Sequence, residues 1–366
     1  MLNVGFTQAP SHPYTFSKWS IPGTHSPPSH HIHVSMHVDD GDGNTTSPDM
    51  YADFQRLITT RYGDLKFNSP STGTCGQVQE VHHDNSITLH SGPYILKMLH
   101  RIGMDAVPAA LSPAVRGLFD ASTDTAKLSN TARTEFRTTN GELIHILPHR
   151  HDIKHVVTHL LTKGEEPDNS DFLKQFHLLR YLKSTPALGP TFSADPSNFP
   201  SGVEITSSSD CAHNVHTNGQ SHSAYTLTVG KVGATSAPFL SYSAAEKGVS
   251  LSPMEGEYVT LSKTAKQLIH YRQFATDLGY PQLHASTMLT DNASSLHLTS
   301  SPLIPAKSRH IALKHHHVRW AFKTNQIRPQ HQGSADIVPD ALTKHVGPSR
   351  FLYFRQQVFQ TPPSLP

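Results

Sequence analysis

Ser250-Leu251-Ser252-Pro253-Met254-Glu255-Gly256-Glu257-Tyr258-Val259 is the stretch whose reading decides the fold. Serine as N-cap, proline in the first helical position and glutamate in the third form a capping box, so a helix is expected to open at Pro253. Tyr258, Leu261, Ala265, Leu268, Tyr271, Ala275 and Leu278 then recur every three or four residues and stop at Gly279, the pattern of an amphipathic helix with a glycine end. The cap gives Glu255 a structural task. Glu257 lies beyond it with no local role.

Upstream of that helix, Val203 to Ser209 reads as a strand ending at Asp210. Alternating Tyr225, Leu227 and Val229, then Phe239 to Ser243 and Val249 to Leu251, continue the strand pattern. Downstream, a short strand from Thr287 to Thr290 ends at Asp291, and helical patterns follow around Ile311 to Phe322 and beyond Asp340. The order is strands, helix, strand, helix.

The first half is patterned differently. Ile32, Val34, Met36 and Val38 alternate with polar residues and run into Asp39-Asp40-Gly41-Asp42-Gly43, a strand entering a tight hairpin. Helices are expected from Met50 to Tyr62, from Pro93 to Ile102, and over Phe172 to Lys183 before Pro186. Three Pro, Ser, Gly or Thr-rich stretches punctuate the chain: Ile21 to His30, Ser69 to Gly76, and Pro186 to Ser201. The last separates the two halves, giving an expected division into 1–185, a linker 186–201, and 202–366.

A length of 366 residues suits two domains. A net charge of +2 neither demands nor opposes a nucleic-acid partner, and no apolar run approaches the roughly 20 residues of a membrane span. Cys75 and Cys211 make neither a disulfide framework nor a four-thiolate zinc site, which fits a reducing, intracellular compartment, cytoplasmic or nuclear. Hydrophobic content of 36%, with 27 prolines and 28 histidines, suggests that parts of the chain pack poorly.

Four carboxylates of the second half stand where a two-metal site wants them: Asp210 and Asp291 at strand ends, Glu257 in the first turns of the long helix, and Asp340 near a late helix start. Magnesium or manganese takes hard oxygen ligands, and about four acids hold two ions roughly 4 Å apart. Acids at strand ends and helix starts also serve as caps and turn formers. Four in this order favour the metal reading, and Glu257, with the cap already filled, is the most telling.

These motifs resemble the RNase H of copia-type retrotransposon Pol polyproteins. Ser209-Asp210, then Ser221-His222-Ser223-Ala224-Tyr225, then Ser250 to Val259 are similar to the pattern S-D, R-S-T-S-G-Y, L-S-S-x-E-A-E-Y-x-A. Thr290-Asp291-Asn292, Ser308-Arg309-His310-Ile311 and Asp340-Ala341-Leu342-Thr343-Lys344 are similar to D-N, S-R-T-K-H-I and A-D-x-L-T-K. The resemblance implies that Asp210, Glu257, Asp291 and Asp340 are the catalytic and metal-binding acids. It implies two-metal hydrolysis of the RNA strand of an RNA:DNA hybrid, leaving 5′-phosphate and 3′-hydroxyl ends. One departure is Cys211-Ala212-His213, where the family usually has a second aspartate and a tryptophan.

The first half resembles the reverse transcriptase of the same family through Val4 to Gln8, Val38-Asp39-Asp40, Tyr94-Ile95-Leu96, Ile102-Gly103-Met104, His151-Asp152-Ile153 and Leu179 to Lys183. The expected fold is therefore α/β: an incomplete palm and thumb segment followed by an RNase H-like mixed sheet with helices. Asp39 and Asp40 fall on the metal-binding turn of the palm. A further palm aspartate belongs well upstream of that turn, so polymerase activity is not expected. Other parts of a Pol polyprotein are implied as partners, and a membrane is not.

Lys307, Arg309, Lys314 and Arg319 concentrate positive charge around the late helix and, with His310, are candidates for gripping the hybrid; an ordinary solvated helix face is the alternative. His315-His316-His317, His31 with His33, and His149 with His151 raise the question of zinc. Consecutive helical histidines diverge and no cysteine is near, so structural zinc is not expected. A catalytically inactive relic, or an adopted nucleic-acid-binding protein, is the competing expectation to the nuclease.

Overall fold

The computed structural model describes residues 1, 5–20, 30–37, 40–67, 76–199, 202–300 and 312–360. At the N-terminus, β1 (Thr7–Ala9), β2 (His12–Trp19), β3 (His31–His37) and β4 (Asp40–Thr45) form an antiparallel sheet in chain order. The alternation from Ile32 onward makes β3, whose inward Ile32 and Val34 meet Phe6 in a small core. The expected hairpin closes with His37 opposite Asp40. α1 (Pro48–Tyr62) follows, its N-terminal Met50 amide capped by Ser47 Oγ.

A helical layer comes next. β5 (Val78–Val81) and β6 (Ile87–His90) lead into α2 (Gly92–Arg101), then α3 (Asn130–Ile146), α4 (Lys154–Leu161), α5 (Asn169–Ser184) and β7 (Thr191–Phe192), which pairs with β6. Asp168 and Asp171 close a capping box at the start of α5. Ile95, Leu99, Phe136, Leu143, Leu160, Leu178 and Leu182 are fully or nearly fully buried here, each worth roughly 1.5–3 kcal/mol on transfer grounds.

The remaining elements are β8 (Ile205–Ala212), β9 (His222–Val229), β10 (Pro238–Ala245), α6 (Pro253–Asp277), β11 (Ser286–Thr290), α7 (Ala293–Ser300), α8 (Ala312–Lys323), β12 (Ile327–His331) and α9 (Pro348–Phe359). Their sheet runs β10-β9-β8-β11-β12, with β8, β9 and β10 antiparallel and β11 parallel to both β8 and β12. This is an RNase H-like mixed sheet. Parallel pairing of β8 with β11 requires a crossover, and α6 supplies it. The crossover sets the ends of β8 and β11 side by side, with the first turns of α6 above them.

Two features differ from the sequence expectation. Val249 to Leu251 forms no strand; Val249 and Leu251 are exposed, with no partner strand to give their alternation a face. The stretch expected as a linker contains β7, and one hydrophobic core crosses it: Phe351, Phe354 and Phe359 of α9 pack with Leu143, Val156 and Leu182. Asp340 lies in a 3-10 turn, Val338–Leu342, ahead of α9, the helix expected beyond it. The N-terminal sheet is tied to the far end of α6 by Ser11 on Asp277 and by Trp19 Nε1 donating to the Leu278 carbonyl. No helix among the described residues is long and apolar enough to cross a membrane.

Candidate metal centre

Asp210 sits in β8, where antiparallel pairing with Ala224 of β9 fixes its backbone. Asp291 is the first residue after β11. Glu257 comes from the second turn of α6, and the cap explains why it is free for the site. Ser252 Oγ accepts the Glu255 amide at 3.2 Å, and Glu255 Oε2 accepts the Leu251 amide at 2.7 Å. The helix start can come this close to the sheet because residue 256 is glycine. A Cβ there would stand 2.8 Å from Cys211 Sγ.

One carboxylate oxygen from each of Asp210, Glu257 and Asp291 lies within 4.8 Å of the others, the one cluster of three or more metal-ligating side chains among the described residues. Asp210 is 6% and Glu257 8% exposed. The Cys211 amide hydrogen-bonds the Glu257 carboxylate, while Glu257 Oε2 is buried without any partner. Burial above all, with Asp210 and Asp291 adding repulsion, pushes the Glu257 carboxyl up to about 9. Burial likewise raises Asp210 to about 6, with Asp340 and Asp291 contributing, against the Thr343 hydrogen bond and the Lys344 charge. Thr343 Oγ1 stands 2.6 Å from Asp210 Oδ2 and 2.9 Å from the Asp340 carbonyl.

Three carboxylates crowded together in low dielectric cannot all ionise without a cation. Their all-oxygen donor set, with one buried oxygen left without a partner, fits Mg²⁺ or Mn²⁺. The fourth expected acid is turned elsewhere. Asp340 Oδ1 is 2.6 Å from Lys344 Nζ, and its Oδ2 is 3.7 Å from Arg350 Nε.

The other sequence candidates are placed as follows. Asp39 lies outside the described residues, and Asp40 is an exposed hairpin residue in β4 that joins no acidic cluster. Lys307, Arg309 and His310, and the side chain of Lys314, also lie outside the described residues. Arg319 is 7% exposed, beside buried Val318 and Ala321 on the face of α8 that packs against the core. That burial removes it from a solvent-facing basic stripe. His151 uses both ring nitrogens structurally, at 2.7 Å from Ser241 Oγ and 2.9 Å from the Pro238 carbonyl. His31 and His33 make tilted and edge-on ring contacts with Trp19 and Tyr280. The sequence reading missed the roles of Thr343 and Lys344, although both stand in the Asp340 to Lys344 motif.

Known proteins place the chain in context. No protein-family model matches it. It is 27% identical over 234 residues to the retrovirus-related Pol polyprotein from transposon RE2 of Arabidopsis thaliana, covering 63% of this chain and 15% of that protein. The corresponding protein from transposon RE1 of the same plant is 26% identical over 277 residues, 74% of this chain and 18% of that one. That from transposon TNT 1-94 of Nicotiana tabacum is 24% identical over 308 residues, 81% and 22%. The chain thus spans less than a quarter of each of these relatives. Among solved structures, the N-terminal RNase H domain of a Mycobacterium tuberculosis protein, fused to maltose binding protein, aligns with 42% of this chain and 97% of its own. Its identity of 13% and TM-score of 0.26 add nothing to what the strand order already shows. By sequence, this chain is a relative of the Pol polyproteins of copia-type transposons.

Proposed function

We propose that this retrotransposon-related chain hydrolyses the RNA strand of RNA:DNA hybrids in a divalent-metal-dependent reaction centred on Asp210, Glu257 and Asp291. The observation that carries this is the buried, partnerless Glu257 Oε2 inside a cluster of three carboxylates. A structural acid this buried would be expected to have found donors for both oxygens, whereas the Cys211 amide serves Glu257 and leaves Oε2 without one. A bound Mg²⁺ would supply charge for the scissile phosphate and a lowered pKa for the attacking water.

The chain's own residues do the positioning. Pairing of β8 with β9 and the Thr343 hydroxyl hold Asp210; the first turns of α6 deliver Glu257; the end of β11 delivers Asp291. Water attacks phosphorus and the bond to the 3′ oxygen breaks. That oxygen takes a proton, leaving 3′-hydroxyl and 5′-phosphate ends. The 2′-hydroxyl distinguishes the RNA strand from DNA. In this reading the protein works inside the cell, in cytoplasm or nucleus, alongside other parts of a Pol polyprotein.

The engagement of Asp340 by Lys344 and Arg350 favours a second reading, a metal-binding but non-cleaving nucleic-acid binder. Incubating the folded chain with a labelled hybrid and Mg²⁺, beside Asp210→Asn, separates the two. Cleavage by the wild type and none by the variant is expected. A wild type that binds Mg²⁺ and leaves the hybrid intact sinks the nuclease reading.

A further inference from the structure

Asp340 lies in the 3-10 turn and Lys344 just past its end, four residues on, and the 2.6 Å contact between them is the shortest ion pair near the acids. Thr343, next to Lys344, hydrogen-bonds Asp210, so the turn that steadies the first acid also delivers an ammonium to the site. Lys344 is half-exposed. Burial alone would lower its pKa, but the Asp340 hydrogen bond and the charges of Asp340, Asp210 and Asp291 hold it above its usual value. The effect is reciprocal, since the Lys344 charge lowers both Asp210 and Glu257.

We propose that the Lys344 ammonium is a built-in cation of this site, neutralising Asp340 so that Asp210, Glu257 and Asp291 hold a single divalent ion. This rests on the metal reading above and sharpens it. Two cations at a four-acid site are expected from charge balance. Here one of the two is covalently attached to the chain. A second divalent ion would have to displace Lys344 from Asp340 and sit beside its positive charge, which Coulomb repulsion opposes. The Arg350 guanidinium adds to that repulsion from 3.7 Å.

The test is to count Mn²⁺ ions bound per chain, by loss of the free-ion electron paramagnetic resonance signal and by calorimetry, in wild type, Lys344→Met and Lys344→Arg. Circular dichroism melts show that each variant is folded. The expected result is one Mn²⁺ for wild type and Lys344→Arg, and two for Lys344→Met. Adding Asp340→Asn to Lys344→Met should return the count to one. Two ions in the wild type, or an unchanged count of one in Lys344→Met, overturns the proposal. No Mn²⁺ bound by the folded wild type overturns the metal reading itself and this inference with it. Hybrid cleavage is scored separately, so a one-ion protein that fails to cleave sinks the nuclease reading and leaves the Lys344 assignment standing.

Discussion

Two buried acidic sites in this molecule are built on opposite rules. Asp152, between α3 and α4, is fully buried and fully answered: Arg150 donates to both of its oxygens at 3.0 and 2.8 Å, and Tyr181 donates at 2.6 Å. Burial by itself would raise the Asp152 carboxyl, yet the Arg150 charge and these hydrogen bonds hold it below the usual carboxylate range. Asp210 and Glu257 are almost as buried, and there the balance runs the other way, up to about 6 and about 9. The difference teaches what a closed acid and an open one look like. The first is matched within the chain; the second, in the proposed reading, takes a cation from solution.

The largest effect is expected from breaking the closed site. Arg150→Met leaves Asp152 buried without its counter-ion, which should destabilise the fold by about 3–5 kcal/mol, read as a shift in the urea midpoint. A shift under about 1 kcal/mol would show that Asp152 is not held by that pair.

Glu257→Gln should do the reverse in metal-free protein, leaving stability unchanged or raised because a costly buried acid is removed. It should weaken Mn²⁺ binding by more than the ~100-fold that losing a ligand's supporting hydrogen bond can cost. Loss of stability with retained metal binding would place Glu257 with Asp152 as a structural acid.

The two sites also differ in the sign of their pH dependence. Glu257 keeps its proton in the fold up to about 9, while the unfolded chain releases it near 4.5. The unfolded state therefore binds fewer protons in between, and metal-free stability should fall as pH rises through that window. Asp152 contributes stability that is lost only as pH falls below its ordinary 3.8. Denaturation at pH 5, 7 and 9 checks this. The downward slope should flatten in Glu257→Gln, and Mg²⁺ should oppose it; an equal slope in the variant would assign it to other groups.

Much of this contrast was legible in the sequence, because the capping box at Ser252 and Glu255 is local and leaves Glu257 unexplained. Short strands leading to Asp210 and Asp291 were also readable, although β8 runs on past Asp210 to Ala212. What was not legible depends on partners. The polar and histidine-rich runs of α3 and α4 hide their apolar stripe, since His155 and His159 are buried with their basicity lowered by desolvation. Periodicity shows that α9 has an apolar face but not that Phe351 and Phe354 pack across the expected linker. Arg319 looked like a surface charge because sequence does not reveal which face of α8 meets the core. Asp340 looked like the fourth ligand because the reach of Lys344 is a matter of three dimensions.

The smallest effect belongs to the Thr343 hydroxyl, which links β8 to the 3-10 turn of Asp340. Thr343→Val removes the 2.6 Å contact to Asp210 and keeps the shape, so Mn²⁺ affinity should fall roughly 10-fold to 100-fold. Unchanged affinity would mean that β8 alone positions Asp210.

The central claim, that the open acids wait for a metal, is tested most directly by locating the ion. Crystals grown with Mn²⁺ and measured at its absorption edge should show an anomalous peak among the carboxylate oxygens of Asp210, Glu257 and Asp291. A peak elsewhere, such as at Asp40, or no peak at these acids, would contradict the account.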